Sequence, residues 1–172
     1  IDSNPGEGSV VQIMLPVRVD ETWSGDPVDE EQDVQDNIAG MRILLVEDNE
    51  INCEIVEYIL QEAGAETVTA KDGKAAVDAF EASSPGTFDC VLMDLMMPVM
   101  SGYEATRVIR GLDRTDAKAV PIIALSANTF EEDIALAKDA GMNEHLAKPV
   151  DINKMFRVMC RQNFMKKNKK TT

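Results

Sequence analysis

The sequence predicts a doubly wound α/β fold, (βα)5, in which five parallel strands are covered by helices on both faces. Three observations lead there. Between residue 41 and about residue 165, short apolar runs alternate with stretches of helical spacing, the pattern of repeated βα units. The third run, Cys90-Val91-Leu92-Met93, is apolar at every position, as in a strand buried on both faces. Gly or Pro residues stand where the helical stretches stop, at Gly64, Pro85-Gly86 and Gly141, and both residue types interrupt regular structure.

Taken in order, residues 42–46 form strand one, and residues 50–63 carry helical spacing through Ile51, Ile55, Ile59 and Leu60. Residues 66–70 are strand two; a helix follows Gly73 through Ala76, Val77 and Phe80. Residues 90–93 are strand three, 102–109 a helix and 121–125 strand four. Residues 130–140 are a helix, 144–147 a short fifth strand, and 151–164 a last helix capped by Asp151. Ahead of this region, residues 9–19 alternate with period two, placing Val11, Ile13, Leu15, Val17 and Val19 on one side. Pro16 has no amide to donate, which implies an edge strand. The preceding Asn4-Pro5-Gly6-Glu7-Gly8-Ser9 is dense in turn formers, so residues 1–19 read as a hairpin whose first half begins at Ile1. Residues 20–40 read as an acidic linker, with eight acidic and no basic residues between 20 and 37. Trp23, inside it, either packs on a neighbouring surface or is incidentally exposed. Residues 166–172 form a basic tail.

Composition narrows the function classes. A length of 172 residues suits one full domain with appendages. The net charge of −14 argues against a general nucleic-acid surface, because Lys and Arg hold phosphate backbones. No apolar run approaches the roughly 18–20 residues that cross a bilayer, and no signal peptide opens the chain. Cys53, Cys90 and Cys160 are far apart and have apolar neighbours. Buried, reduced thiols in a cytoplasmic setting are expected. The stretch after Phe164 is too short for a DNA-binding domain, which excludes a transcription factor within this chain.

In an open α/β sheet, ligands bind beyond the carboxyl ends of the strands. The residues following each strand are Glu47-Asp48, Asp94, Ser126 and Lys148-Pro149, all on one rim. Three carboxylates in close quarters repel one another, and a divalent cation held by few carboxylates plus waters, in the manner of Mg²⁺, removes the conflict. Cation, ammonium and hydroxyl together suit a phosphoryl group, whose transfer needs positioning and charge neutralisation. Asp94, ending the central strand, is then the carboxylate nucleophile. Each residue alone has a plainer reading. A single Asp caps a helix, Glu47-Asp48 favours the positive end of the next helix, and Ser126 and Lys148 are loop residues. The ordered set, each member after its own strand, does not reduce to those readings.

Ile43-Leu44-Leu45-Val46-Glu47-Asp48-Asn49, Leu92-Met93-Asp94-Leu95-Met96-Met97-Pro98-Val99-Met100-Ser101-Gly102, Ala124-Leu125-Ser126-Ala127 and Lys148-Pro149 resemble the receiver domain of response regulators and hybrid histidine kinases. The resemblance covers about 120 residues and implies a flavodoxin-like sheet of order 2-1-3-4-5. It further implies that Asp94 takes phosphate from a phosphohistidine of a histidine kinase or histidine phosphotransfer domain. Asp48, Asp94 and the carbonyl of Met96 would ligate Mg²⁺, with Glu47 acting through water; Lys148, Ser126 and the amide of Ala127 would hold phosphoryl oxygens. The domain would catalyse its own phosphorylation and slow dephosphorylation, with Met96 and Asn128 influencing the access of water. In this family Ser126 would move toward the phosphate while an aromatic residue on strand five turns inward. That position holds His145, the only histidine, where Tyr or Phe is usual. One reading is that the imidazole simply substitutes for the ring. The other is that its protonation makes switching pH-sensitive, since histidine changes charge near neutral pH.

Pro5-Gly6-Glu7-Gly8-Ser9-Val10 followed by Leu15-Pro16 resembles the last hairpin of a histidine-kinase ATP-binding domain. The remnant lacks the rest of an ATP site, and no lysine follows Gly8 to make a Walker A loop. An orphaned strand of this kind would be disordered or would pair with another edge, across a homodimer for example. A free-standing regulator is the rival within the family. An aspartyl-nucleophile phosphohydrolase is the rival outside it, disfavoured because Asp94-Leu95-Met96 lacks a second acid. A degenerate receiver that only binds proteins is disfavoured by the complete set of site residues.

Overall fold

A computed structural model describes residues 2–4, 8–10, 38–127 and 130–169, with backbone alone for 2–4, 8–10 and 164–169. Strands β1 (Asp2–Asn4) and β2 (Gly8–Val10) pair antiparallel, with Asp2 opposite Val10. The expected turn residues between these two strands, 5–7, lie outside the described residues. The rest of the expected strand at 11–19, Trp23 and most of the acidic stretch, Asn128 and the last residues of the tail lie outside the described residues.

The remaining strands, β3 (Arg42–Val46), β4 (Glu66–Ala70), β5 (Cys90–Asp94), β6 (Ile122–Ser126) and β7 (Glu144–Ala147), form one parallel sheet in the order β4-β3-β5-β6-β7. Counted from β3, that order is the expected 2-1-3-4-5. Successive side chains of a strand point to opposite faces, and both faces are packed. Leu44, Val46, Val91, Met93, Ile122 and Ala124 join one apolar cluster. Ile43, Leu45, Cys90, Leu92, Ile123 and Leu125 join the other. Residues of α2 (Gly73–Ala82), α3 (Gly102–Gly111) and α4 (Glu131–Asp139) complete the first cluster. Residues of α1 (Glu50–Glu62) and α5 (Ile152–Lys169) complete the second. The unbroken apolar run of β5 is buried along its whole length, as expected of the central strand.

Side-chain caps start every helix but α4, whose N-cap is Phe130. Asn49 accepts from the amide of Asn52, Asp72 from that of Ala75, and Asp151 from that of Lys154. Ser101 and Glu104 close a reciprocal capping box on α3.

Four details depart from expectation. Ile38 is fully buried in the second cluster and Gly40 donates to the Gly64 carbonyl at 2.8 Å, so the packed body reaches into the stretch read as linker. Helix α5 runs to Lys169, through most of the basic tail. Lysine is a good helix former and is favoured at the negative end of the helix. Only Cys90 is buried, while Cys53 and Cys160 are half-buried; burial pushes both of their thiols up. On α1, Ile51 and Ile55 face solvent, 68% and 54% exposed, and Leu60 alone is buried. Helical spacing located that helix but not its covered face.

Arg114 ties the lower loops together. It makes two 2.8 Å contacts to Asp116, donates to the Phe80 and Ser83 carbonyls, and lies 4.5 Å over the Phe80 ring. The hydrogen bonds from Arg114 outweigh burial and, with the Gly86 amide, hold the Asp116 carboxyl at about 2 against an ordinary 3.8. A carboxyl depressed in the folded state stabilises above its unfolded value, and that contribution disappears as pH falls through the folded one. Asp116→Asn is therefore expected to destabilise the protein at neutral pH by on the order of 1 kcal/mol, after allowing for solvent screening. The gap to the native protein should close between pH 3.8 and about 2, which urea titrations across that range would measure. A gap independent of pH would refute the account.

Candidate functional site

Parallel strands present all their carboxyl ends at one rim, and that topology gathers residues far apart in the chain. Glu47 follows β3, and its amide extends the ladder to Ala70 at 3.1 Å. Asp94 and Ser126 end β5 and β6 on adjacent strands, where Asp94 stands opposite Leu125. Glu47, Asp94 and Ser126 are only 4%, 6% and 4% exposed, whereas Asp48 is exposed. Carboxylate oxygens of Glu47, Asp48 and Asp94 all lie within 4.8 Å of one another. Lys148 follows β7 and donates its amide to the Ser126 carbonyl at 2.7 Å. Its Nζ reaches Glu47 Oε2 at 2.5 Å and Asp94 Oδ2 at 2.6 Å.

Electrostatics follow from that geometry. Burial pulls the Lys148 ammonium down, but its bonds to Asp94 and then Glu47 more than offset this, and the net direction is upward. The ammonium stays charged and bridges two carboxylates. Oδ1 of Asp94 accepts the Met96 amide at 3.0 Å, so both oxygens of this carboxylate are held. Oε1 of Glu47 accepts from Asn52 Nδ2 at 3.2 Å. One cation among three carboxylates leaves surplus negative charge. The donors are all hard oxygens at short mutual distance, a set that fits a hard divalent cation.

Sequence reasoning placed Glu47, Asp48, Asp94, Ser126 and Lys148 at one rim, and all five occupy it. Ala127 directly follows the end of β6, and Met96 lies two residues past the end of β5. His145 sits on β7 opposite Ala124, with Nε2 buried and without a hydrogen-bond partner. Two contributors were missed. Asn52 lies one turn into the helix that begins at this rim, and its position beside Glu47-Asp48 was the available signal. Gly102 approaches the backbone beneath Asp94: a Cβ there would meet the Asp94 carbonyl oxygen at 2.1 Å.

Residues 43–159 match the family described as response regulator receiver domain. The chain belongs to that family. Among its relatives, the peroxide stress-activated histidine kinase mak1 of Schizosaccharomyces pombe is 37% identical over 115 residues, 66% of this chain and 7% of that protein. The sensor protein GacS of Pseudomonas syringae is 35% identical, over 69% of this chain and 13% of that protein. The receiver thus spans about a tenth of the length of these curated relatives. Among solved structures, the receiver domain of a Pseudomonas aeruginosa sensor histidine kinase, with magnesium in its active-site cleft, is 40% identical. It superposes with a TM-score of 0.65 over 73% of this chain and 98% of that one. The chemotaxis protein CheY4 of Vibrio cholerae is 30% identical, also with a TM-score of 0.65, covering 72% and 98%. The chain is a receiver domain of two-component phosphorelay signalling. No helix among the described residues is long and apolar enough to cross a membrane.

Proposed function

We propose that Asp94 is the phosphoacceptor, taking a phosphoryl group from a phosphohistidine with Mg²⁺ as cofactor. The observation that carries this reading is the Asp94 carboxylate itself. It ends the central strand, is nearly buried, is oriented at both oxygens, and lies within a carboxylate triad. An Asp94 oxygen attacks phosphorus, the P–N bond breaks, and its electron pair leaves on the donor imidazole, yielding an acyl phosphate. Glu47, Asp48, Asp94 and the Met96 carbonyl would hold the metal, which neutralises negative charge on carboxylates and phosphoryl oxygens when bound. Lys148, already against Asp94, turns its ammonium to a phosphoryl oxygen, and the Ser126 hydroxyl and Ala127 amide hold the others. His145 is the ring that follows Ser126 inward.

Partner docking has support in the exposed apolar stripe of α1, where Tyr58 (64% exposed) joins Ile51 and Ile55, since clustered exposed apolar residues mark interaction sites. Beside it, Ile55, Val56, Ile59 and Met155 line a groove of about 280 Å³ whose polar end is Glu47 and Lys148. A histidine kinase or histidine phosphotransfer domain seated there would bring its histidine to Asp94. The β1–β2 hairpin and the histidine-kinase relatives support placing this receiver after the ATP-binding domain of a hybrid kinase, across the acidic linker, on the cytoplasmic side.

A phosphorylated histidine phosphotransfer domain, mixed with this chain, is expected to transfer its label only when MgCl₂ is present. Lys148→Ala should slow that transfer by about 10²-fold. Transfer indifferent to EDTA, or turnover of generic phosphate esters at comparable rates, would refute the reading, the latter in favour of a phosphohydrolase.

A further inference from the structure

We propose that Asn52 is a positioning residue of the cation site, acting through Glu47; the proposal rests on the receiver-site reading above. The final torsion of a Glu side chain is broad and roughly two-fold, so a carboxylate plane is set by what its oxygens bond. Glu47 has two partners on its two oxygens, Lys148 on Oε2 at 2.5 Å and Asn52 on Oε1 at 3.2 Å. Lys148 also holds Asp94 and must turn away to meet an incoming phosphoryl group. Asn52 is the partner that remains while that happens.

Its chemistry suits the task. A carboxamide donates a hydrogen bond without bringing a positive charge that would compete with a cation for the acidic cluster. Its place is fixed independently of Glu47, because Asn49 Oδ1 accepts the Asn52 backbone amide at 3.1 Å and anchors the first turn of α1. Asn52 itself is exposed, so it contributes nothing to the apolar core. It also lines the groove between α1 and the segment after Lys148, which places it between the docking face and the acidic pocket.

The test is a titration of the whole chain with MgCl₂, followed by amide chemical shifts, on the native protein, Asn52→Ala, Glu47→Ala and the double variant. Alanine keeps the backbone amide that Asn49 caps, so the melting temperature of Asn52→Ala in EDTA should match the native value. Its Kd for Mg²⁺ should rise about tenfold, the low end of what outer-shell partners contribute. In the Glu47→Ala background the same change should have no further effect, since coupling through one carboxylate is non-additive. An unchanged or lowered Kd, or an equal loss in both backgrounds, overturns the role of Asn52 while leaving the receiver site standing. Absence of saturable Mg²⁺ binding by the native chain overturns the site reading and this inference with it.

Discussion

Asp94→Asn is expected to abolish phosphate incorporation, lowering its rate more than about 10³-fold, as removal of a reacting nucleophile does. The amide is nearly the shape of the carboxylate, and its oxygen can still accept the Met96 amide that now bonds Oδ1. What it loses is the negative charge and one of the two oxygens, and a neutral amide oxygen is too weak a nucleophile to attack phosphorus. The substitution also takes one negative group from a crowded cluster and one partner from Lys148. Those changes oppose each other in stability, so the fold should persist. Intact mass after incubation with acetyl phosphate and MgCl₂ reads the outcome directly: one added phosphoryl group on the native chain and none on the variant. Phosphate on Asp94→Asn at the native rate would move the acceptor elsewhere.

Gly102→Ala should unfold or severely weaken the protein, by about 3 kcal/mol or more. The new methyl would lie 2.1 Å from the Asp94 carbonyl oxygen, 2.9 Å from Met93 Cγ and 3.0 Å from the Asp94 carbonyl carbon. Two of these three atoms are backbone, so no rotamer change relieves the clash. Either the start of α3 moves or the end of β5 does, and the second displaces the phosphoacceptor. The amide of Gly102 also bonds the Leu95 carbonyl at 3.1 Å, a contact that ties the helix start to the turn after Asp94. Gly111→Ala is the control, since nothing lies within 4 Å of a Cβ at that helical position. It should be neutral or stabilising by up to about 1 kcal/mol. Thermal melts of both variants decide the matter; equal melting temperatures would show that the close approach at Gly102 relaxes freely.

Most of the architecture was legible because local signals agreed with one another. Cys90 to Met93 is apolar throughout since both faces of the central strand are covered, and Glu66–Ala70 and Glu144–Ala147 fell on the residues predicted. Where a residue answers to something other than its own element, the reading failed. Ile51 and Ile55 have core spacing but face water, because the buried side of α1 is decided by how that helix sits on the sheet. Val99 is β-branched yet adopts φ 67°, with the Met100 amide bonded to the Pro98 carbonyl at 2.7 Å. Residue type argues against that conformation; the loop carrying it is tied down next door, where the Met100 carbonyl accepts the Gly73 amide at 3.1 Å. Arg110, at the end of α3, has no local signal for its partners: half-buried, it donates to the Gly141 and Ala117 carbonyls and to Asn143 Oδ1, and desolvation pushes it down to about 10.

The alternation of apolar runs with helical stretches determined the fold class, and the order of acids, hydroxyl and lysine along the chain, each after a strand, named the five rim residues. Short apolar runs in the strands and a cap such as Asp151 are local properties that a sequence carries. Distances are not. That Lys148 bridges Glu47 and Asp94 was decided by packing between segments 101 and 54 residues apart. Such contacts depend on where the sheet brings separate strands together, and no local pattern records that.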